Sequence, residues 1–337
     1  MRNKLKKINH HTKDPFVKCL INLIPDYLPK SFVENFKDYL TKSQTLFPKN
    51  PRSIISSGGL NFCDYAKIWI ASNKIKGTPL SILQHGGGYL SSKISLIPFN
   101  EYRLCDQFLS WGWKVAESHP FRKKITPFYI TKTHQINRKN NCKKILLITT
   151  NIPKSSFLLA HFNYFDIYHY MATQIKFINH LNTRRTKHLK LRLYKYDFGW
   201  KIKDYYKTHF PQIDIENSST ISLNKSLKTT KLVIIDHNST SLLETLSKNI
   251  PTLLFWDKTM NQRISKDAQP FFKLLEDVQV LHTCPKSAAL FVNDLNDNIE
   301  DWWQNPLRQK AIKEFCNKFA KKSNNLSSDI INKLINN

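Results

Sequence analysis

Glycine is scarce in this chain of 337 residues: there are eight, and only Gly199 follows Gly112. A Gly-x-Ser-x-Gly nucleophile elbow therefore cannot be built. That excludes the α/β-hydrolase which a His-Gly-Gly-Gly string could otherwise suggest. Cysteine is present but unpatterned. Cys19, Cys63, Cys105, Cys142, Cys284 and Cys316 form no Cys-x-x-Cys pair and no knuckle spacing. Neither a zinc site nor a disulfide framework is expected, and a reducing compartment fits. Long apolar runs are missing as well. The best near the N-terminus, Phe16 to Pro25, is interrupted by Lys18. It is too short to cross a bilayer and lacks the cleavage site of a secretory signal, so the expected location is the cytoplasm.

Acidic residues are the other shortage: 25 against 52 lysines and arginines, a formal charge of +27. Such a field draws nucleic acid, an anionic membrane surface or phosphorylated substrates. The basic residues are spread along the length, with small clusters such as Lys4-Leu5-Lys6-Lys7 and Arg184-Arg185. No RNP-like, zinc-finger or homeodomain pattern accompanies them, so no specific nucleic-acid partner is expected. Two accounts stay open: a lysine-rich solvated surface, or a basic face resting on acidic headgroups at the inner face of the membrane. With 41% hydrophobic and 12% aromatic residues the chain can bury real cores, and its length suits two domains.

Against this scarcity, three of the eight glycines stand in a row, in Gln84-His85-Gly86-Gly87-Gly88-Tyr89. The string follows a short apolar run, Pro79 to Leu83, that reads as a buried strand. Glycines directly after a strand let the backbone turn tightly and approach a ligand closely. Gln84, Gly86, Gly87 and Gly88 are the candidate loop backbone. His85 would stand at the strand's C-terminal end, where open α/β sheets place their ligand crevices. A plain turn with a hydrogen-bonded histidine explains the local string equally well.

Strand and helix signals alternate along the chain. Residues 53–57 and 79–84 read as strands around a helix over 64–76, after a helix that starts at Ser31. Residues 107–113 form another strand. Buried-strand runs follow at 143–150, 189–194, 231–236 and 252–256. Helices are expected near 164–181, over 239–248 and from 301 onward, and the tryptophans are expected in the core. This alternation predicts an α/β fold with parallel sheets. The polar, weakly periodic stretch at 131–142 is the expected linker between an N-terminal domain, 1–130, and a C-terminal domain, 143–337.

A second constellation, Asp236-His237-Asn238-Ser239-Thr240-Ser241-Leu242-Leu243-Glu244, ends a buried strand and opens a helix. Free N–H groups and the dipole at a helix start make a ready anion site. Asn238, Ser239 and Thr240 could add donors to a phosphate, and Glu244 could accept from ribose hydroxyls. The competing reading is that Ser241-Leu242-Leu243-Glu244 is itself a capping box and needs no ligand. Arg192 offers a planar fork for phosphate or carboxylate, or a surface salt bridge. Asp197 can cap a turn.

In this order, the stretches resemble a family of surface-carbohydrate transferases encoded with O-antigen and related polysaccharide genes. The matching residues are Gly77-Thr78-Pro79 running into Gln84-His85-Gly86-Gly87, and Leu109-Ser110-Trp111-Gly112-Trp113. They continue with Arg192-Leu193-Tyr194, Gly199-Trp200, Asn238-Ser239-Thr240, Leu243-Glu244-Thr245-Leu246, Asn249-Ile250-Pro251-Thr252 and Trp302-Trp303. The resemblance covers roughly residues 22–320. It implies a GT-B-like fold, two Rossmann-type domains facing across a cleft, with an activated sugar donor as substrate, no cofactor and no essential metal. It places the His85 loop opposite the Asn238–Glu244 helix start. Family members are commonly longer at the N-terminus, so the N-terminal domain is expected to be incomplete. Leu90 stands where the pattern favours a further glycine.

The function expected is glycosyl transfer from a nucleotide-sugar, with a CMP-linked acidic sugar as one candidate donor, to a surface polysaccharide or lipid-linked glycan. His85 would take the acceptor proton, while residues 238–240 and Arg192 would meet the leaving phosphate. The alternative is a non-catalytic polyanion-binding or scaffold protein, which the charge and the short N-terminal domain favour.

Overall fold

The computed structural model describes residues 2–7, 11–94, 96–131, 136–139, 142–154, 166–296 and 298–335. The chain forms two compact units, residues 1–83 with 104–107, and residues 84–103 with 108–337.

In the first unit, strands β1 (Ile54–Ser56) and β2 (Leu80–Leu83) pair in parallel, Ile54 opposite Leu80. The helix Asp64–Ile75 between them buries Ala66, Ile68 and Ile70. The helix Phe36–Leu46 packs on it through stacked rings, Tyr39 on Tyr65 at 4.5 Å and Phe47 on Trp69 at 5.1 Å. Each such aromatic pair adds about 0.5–1.5 kcal/mol beyond the area it buries. The helix expected from Ser31 begins only at Phe36. Residues Lys30–Phe32 form a 3-10 turn instead, and the Ser31 hydroxyl donates to Asp64 Oδ2 at 2.8 Å.

In the second unit, β3 (Gln107–Ser110) pairs in parallel with β4 (Ile125–Pro127). The larger sheet contains β5 (Lys144–Ile148), β6 (Leu189–Arg192), β7 (Asp214–Glu216), β8 (Thr230–Ile235), β9 (Thr252–Phe255) and β10 (Leu281–His282). Its order is β10-β9-β8-β5-β6-β7, and the pairings are parallel. This is the doubly wound arrangement: the chain starts at the centre, builds one side and returns to build the other. The switch point falls between β5 and β8, where such sheets open a crevice at their C-terminal ends. Strands covered by helices on both faces read as unbroken apolar runs. Accordingly Ile145–Ile148, Leu232–Ile235 and Leu253–Phe255 are all buried.

The expected strands and the helix at 239–248 form within a residue or two, except that the strand expected over 107–113 stops at Ser110, where the Trp111–Trp113 turn begins. The helix expected near 164–181 spans Ile167–Asn179, its expected first residues, 164 and 165, lying outside the described residues. Of the expected linker, residues 132–135, 140 and 141 also lie outside them. Trp111, Trp113, Trp256 and Trp303 are fully buried. Strands β4, β7 and β10 were not anticipated. They have two or three residues each, too few for period-two alternation to register.

Candidate functional site

Gln84 is 1% exposed and both ends of its amide are bonded. Its Oε1 accepts from the Trp111 N–H and from Trp113 Nε1, both at 2.8 Å, and its Nε2 donates to the Gly86 carbonyl at 2.8 Å. One side chain thereby ties the loop to the Trp-Gly-Trp turn. Gly112 in that turn has φ +114, and a Cβ there would meet the Asn317 carbonyl at 2.7 Å. The turn is thus clamped against the end of the helix Pro306–Phe319.

The glycine loop lies on the start of the helix Thr240–Ser247. Gly87 N–H donates to Thr240 Oγ1 at 2.9 Å. A Cβ on Gly87 would fall 2.4–2.7 Å from the backbone of Ser239 and Thr240. Gly88 turns the chain with φ +85. The close approach that the sequence pattern anticipated is made to this helix start, where only a residue without Cβ fits. Asn238 is 1% exposed, and its Nδ2 donates to Ser91 Oγ at 3.0 Å. Further along, Ser265 N–H donates to the Ser91 carbonyl at 3.1 Å, and Lys93 N–H to that of Arg263 at 2.8 Å.

His85 is backed by two buried groups. Its Nδ1 lies 2.7 Å from Tyr89 Oη, and that hydroxyl donates to Glu101 Oε2 at 2.8 Å. Tyr89 is 5% and Glu101 1% exposed, while the His85 side chain is 27% exposed. Burial, reinforced by the Glu101 charge, pushes the Tyr89 phenol far above its ordinary range. The phenol therefore keeps its proton and donates it in the hydrogen bond to Glu101, so its oxygen accepts from Nδ1–H. That fixes the His85 tautomer and puts the ring's basic lone pair on Nε2.

A second histidine escaped the sequence reading. His237 Nδ1 is 2.7 Å from Asp236 Oδ1, and both residues are buried at the end of β8. Asp236 also accepts from Tyr170 Oη at 2.7 Å and from Gln174 Nε2, while Tyr170 Oη accepts from the Thr150 N–H at 2.8 Å. Burial, with the Asp236 charge adding, raises Tyr170 and Tyr206 well above the usual tyrosine range. Both stay protonated, and Tyr170 is the one that donates to Asp236. The network spans β5 and β8 at the switch point and orients His237 with Nε2 as its basic nitrogen. Its only sequence signal is the adjacent Asp-His pair at the end of a buried strand.

The remaining candidates are placed differently from expectation. The Asn238 amide, expected to serve a phosphate, is engaged with Ser91. The helix begins at Thr240 rather than Ser241, so the Ser241–Glu244 capping box does not form. Ser239 occupies the cap position without a side-chain cap bond, and Glu244 Oε2 pairs with Lys248 Nζ at 3.3 Å. Arg192 sits two strands from β8 in register with Ile148 and Ile235. Its fork is taken by Glu216 Oε1 at 2.5 Å and the Ile221 carbonyl at 2.8 Å. It is a structural ion pair and does not join Thr240. On its side of the sheet a cavity of about 250 Å³ opens at the ends of β5, β6 and β7, lined by Thr150, Asn151, Tyr194 and Asn217. His85 and Thr240 do not line it. Asp197 caps a turn as expected, accepting from the N–H groups of Lys201 and Ile202, both at 2.9 Å.

A family model for the LIC12162 family transferases matches residues 1–334. The chain belongs to that family. It is therefore a transferase. Two more of the ordered motifs meet where Trp303 Nε1 donates to Asn249 Oδ1 at 2.9 Å. No curated protein matches the chain. Among solved structures, this LIC12162 family transferase is similar to a Listeria monocytogenes protein assigned as a UDP-N-acetylglucosamine 2-epimerase. The identity is 14% over 88% of this chain and 83% of that one, with a TM-score of 0.50. It is also similar to the wall teichoic acid polymerase TagF, at 12% identity, 89% and 84% coverage and TM-score 0.43. Acinetobacter baumannii MurG gives 11%, 92%, 79% and 0.44. The GT-B-like α/β fold expected from the sequence is the one found.

Proposed function

We propose that this LIC12162 family transferase moves a glycosyl group from a nucleotide-activated sugar to a hydroxyl of a glycan or lipid-linked acceptor. The observation that carries this reading is the His85–Tyr89–Glu101 chain, held directly against the helix start by the Gly87–Thr240 bond. His85 Nε2 takes the acceptor's hydroxyl proton, the freed oxygen attacks the anomeric carbon, and the bond from that carbon to the donor phosphate breaks. The nucleotide leaves with the electron pair. The charge that develops on its phosphate is met by the N–H groups at the start of the helix Thr240–Ser247. A histidine fixed in one tautomer by a buried partner is the group such a proton transfer calls for. The large positive charge of the chain suits an acidic donor, and a CMP-linked acidic sugar is the finer assignment we favour, with a surface polysaccharide as the acceptor.

The test is a thermal-shift titration with CMP, UDP, GDP and their sugars on the wild type, Thr240→Ala and His85→Ala. Stabilisation by one nucleotide that is reduced in Thr240→Ala and kept in His85→Ala, with turnover lost in the latter, is the expected result. A cooperatively melting protein that no nucleotide stabilises would instead support the polyanion-binding scaffold.

A further inference from the structure

The helix Pro15–Tyr27 is capped by Asp14, whose Oδ1 accepts from the Phe16 N–H at 2.8 Å. Its only charged or amide side chains are Lys18, Asn22 and Asp26. Spaced four apart, they make one narrow stripe, and the rest of the cylinder is apolar. That apolar surface is not in the core. Phe16 is 74% exposed, Tyr27 80%, and Leu20, Leu23 and Ile24 between 45 and 47%. Only Pro25 of this helix is buried. Five large apolar side chains standing in water on one helix are a binding surface, not scattered surface apolarity.

Its surroundings say what it binds. The short helix Arg2–Leu5 is tied to the far end of the apolar helix: the Arg2 guanidinium donates to the Pro25 carbonyl, to the Leu28 carbonyl at 2.8 Å, and to Glu34. Lys6 pairs with Asp26, neutralising the acidic end of the polar stripe. Lys4, Lys7, Lys13, Lys18 and Lys30, in this helix or flanking it in sequence, are exposed. Between residues 2 and 30 there are seven basic side chains and two acidic ones, Asp14 and Asp26. An exposed apolar helix edged by lysines is complementary to a surface that is apolar beneath and negative above. At 13 residues it is too short to cross a bilayer, and no described helix is long and apolar enough to do so.

We propose that the helix Pro15–Tyr27 lies in the headgroup region of an anionic phospholipid bilayer, with Phe16, Leu20, Leu23 and Ile24 in the acyl boundary and the lysines on lipid phosphates. The helix would hold the protein beside lipid-borne molecules whatever group the transferase moves.

The test is flotation of the full chain with vesicles of phosphatidylcholine alone and of phosphatidylcholine mixed with phosphatidylglycerol. Wild type, a Phe16→Gln/Leu20→Gln/Leu23→Gln variant and a Lys4→Glu/Lys7→Glu variant are compared. All five substitutions are at exposed positions, so the melting temperature should not move. Binding to the mixed vesicles is expected to fall about tenfold or more in the apolar variant. In the lysine variant it should fall comparably and lose most of its salt dependence. Wild-type protein that stays unbound, or an apolar variant that binds as wild type does, overturns the proposal. So does wild-type protein that dimerises in solution through this helix without floating, which would assign the face to a second copy.

Discussion

Gly87 donates its backbone N–H to the hydroxyl of Thr240 at 2.9 Å, across 153 residues of chain. The bond places the loop of one strand end on the first residue of a helix that follows another. It makes the glycine run and the Asn-Ser-Thr run two halves of one structure. Gly87→Ala is expected to separate them. The new Cβ would meet backbone atoms of Ser239 and Thr240, which cannot rotate away, so overpacking should cost about 1–3 kcal/mol. Urea denaturation reads the loss, and the nucleotide-induced thermal shift should vanish with it.

Gln84→Ala should destabilise through a different route. It leaves the Trp111 N–H and Trp113 Nε1 buried without their acceptor, at about 1–3 kcal/mol for each donor. Chemical denaturation should show a lower midpoint with an unchanged slope. Tryptophan emission should report a loosened Trp111–Gly112–Trp113 turn.

The groups behind His85 should reveal themselves in turnover. Tyr89 donates to Glu101, and its oxygen accepts from His85 Nδ1–H, so the pair fixes the ring that takes the acceptor's proton. Tyr89→Phe and Glu101→Gln should each lower the turnover rate about 10–100-fold while the nucleotide-induced thermal shift stays as in the wild type. Loss of that thermal shift together with turnover would mean that the pair only props up the loop.

Glu216 predicts an acid-side stability loss. Burial raises its carboxyl, but hydrogen bonds from Ser226 and Arg192 and the Lys144 charge outweigh burial and hold it below its usual 4.5. A carboxylate lowered in the folded state contributes stability above the unfolded pKa and loses it as pH falls through the folded one. The wild type should therefore melt at progressively lower temperature below about pH 4.5. Glu216→Gln should melt lower at neutral pH and show a shallower acid slope, since it has no such proton to take up.

Much of this is legible in the sequence alone. The alternation of apolar runs at 144–148, 230–235 and 252–255 with helical spacing at 240–247 is a local property, and it required parallel strands with helical crossovers. The scarcity of glycine made its three-residue cluster stand out, and the ordered motifs pointed to a transferase.

What each polar group bonds to was a different matter. Ser241–Glu244 had the form of a cap, yet the helix starts at Thr240, the residue whose hydroxyl accepts from Gly87. Asn238 and Arg192 had the form of phosphate ligands. Folding engages one with Ser91 and the other with Glu216. His237 gave almost no signal, and only its bond to Asp236 and their burial at the switch point distinguish it. Backbone preference and hydrophobic period depend on near neighbours, so the chain itself decides strands, helices and their order. A hydrogen-bonding side chain is indifferent to which distant partner it takes. That choice belongs to the tertiary structure, which brings some partners together and buries them beyond the reach of water.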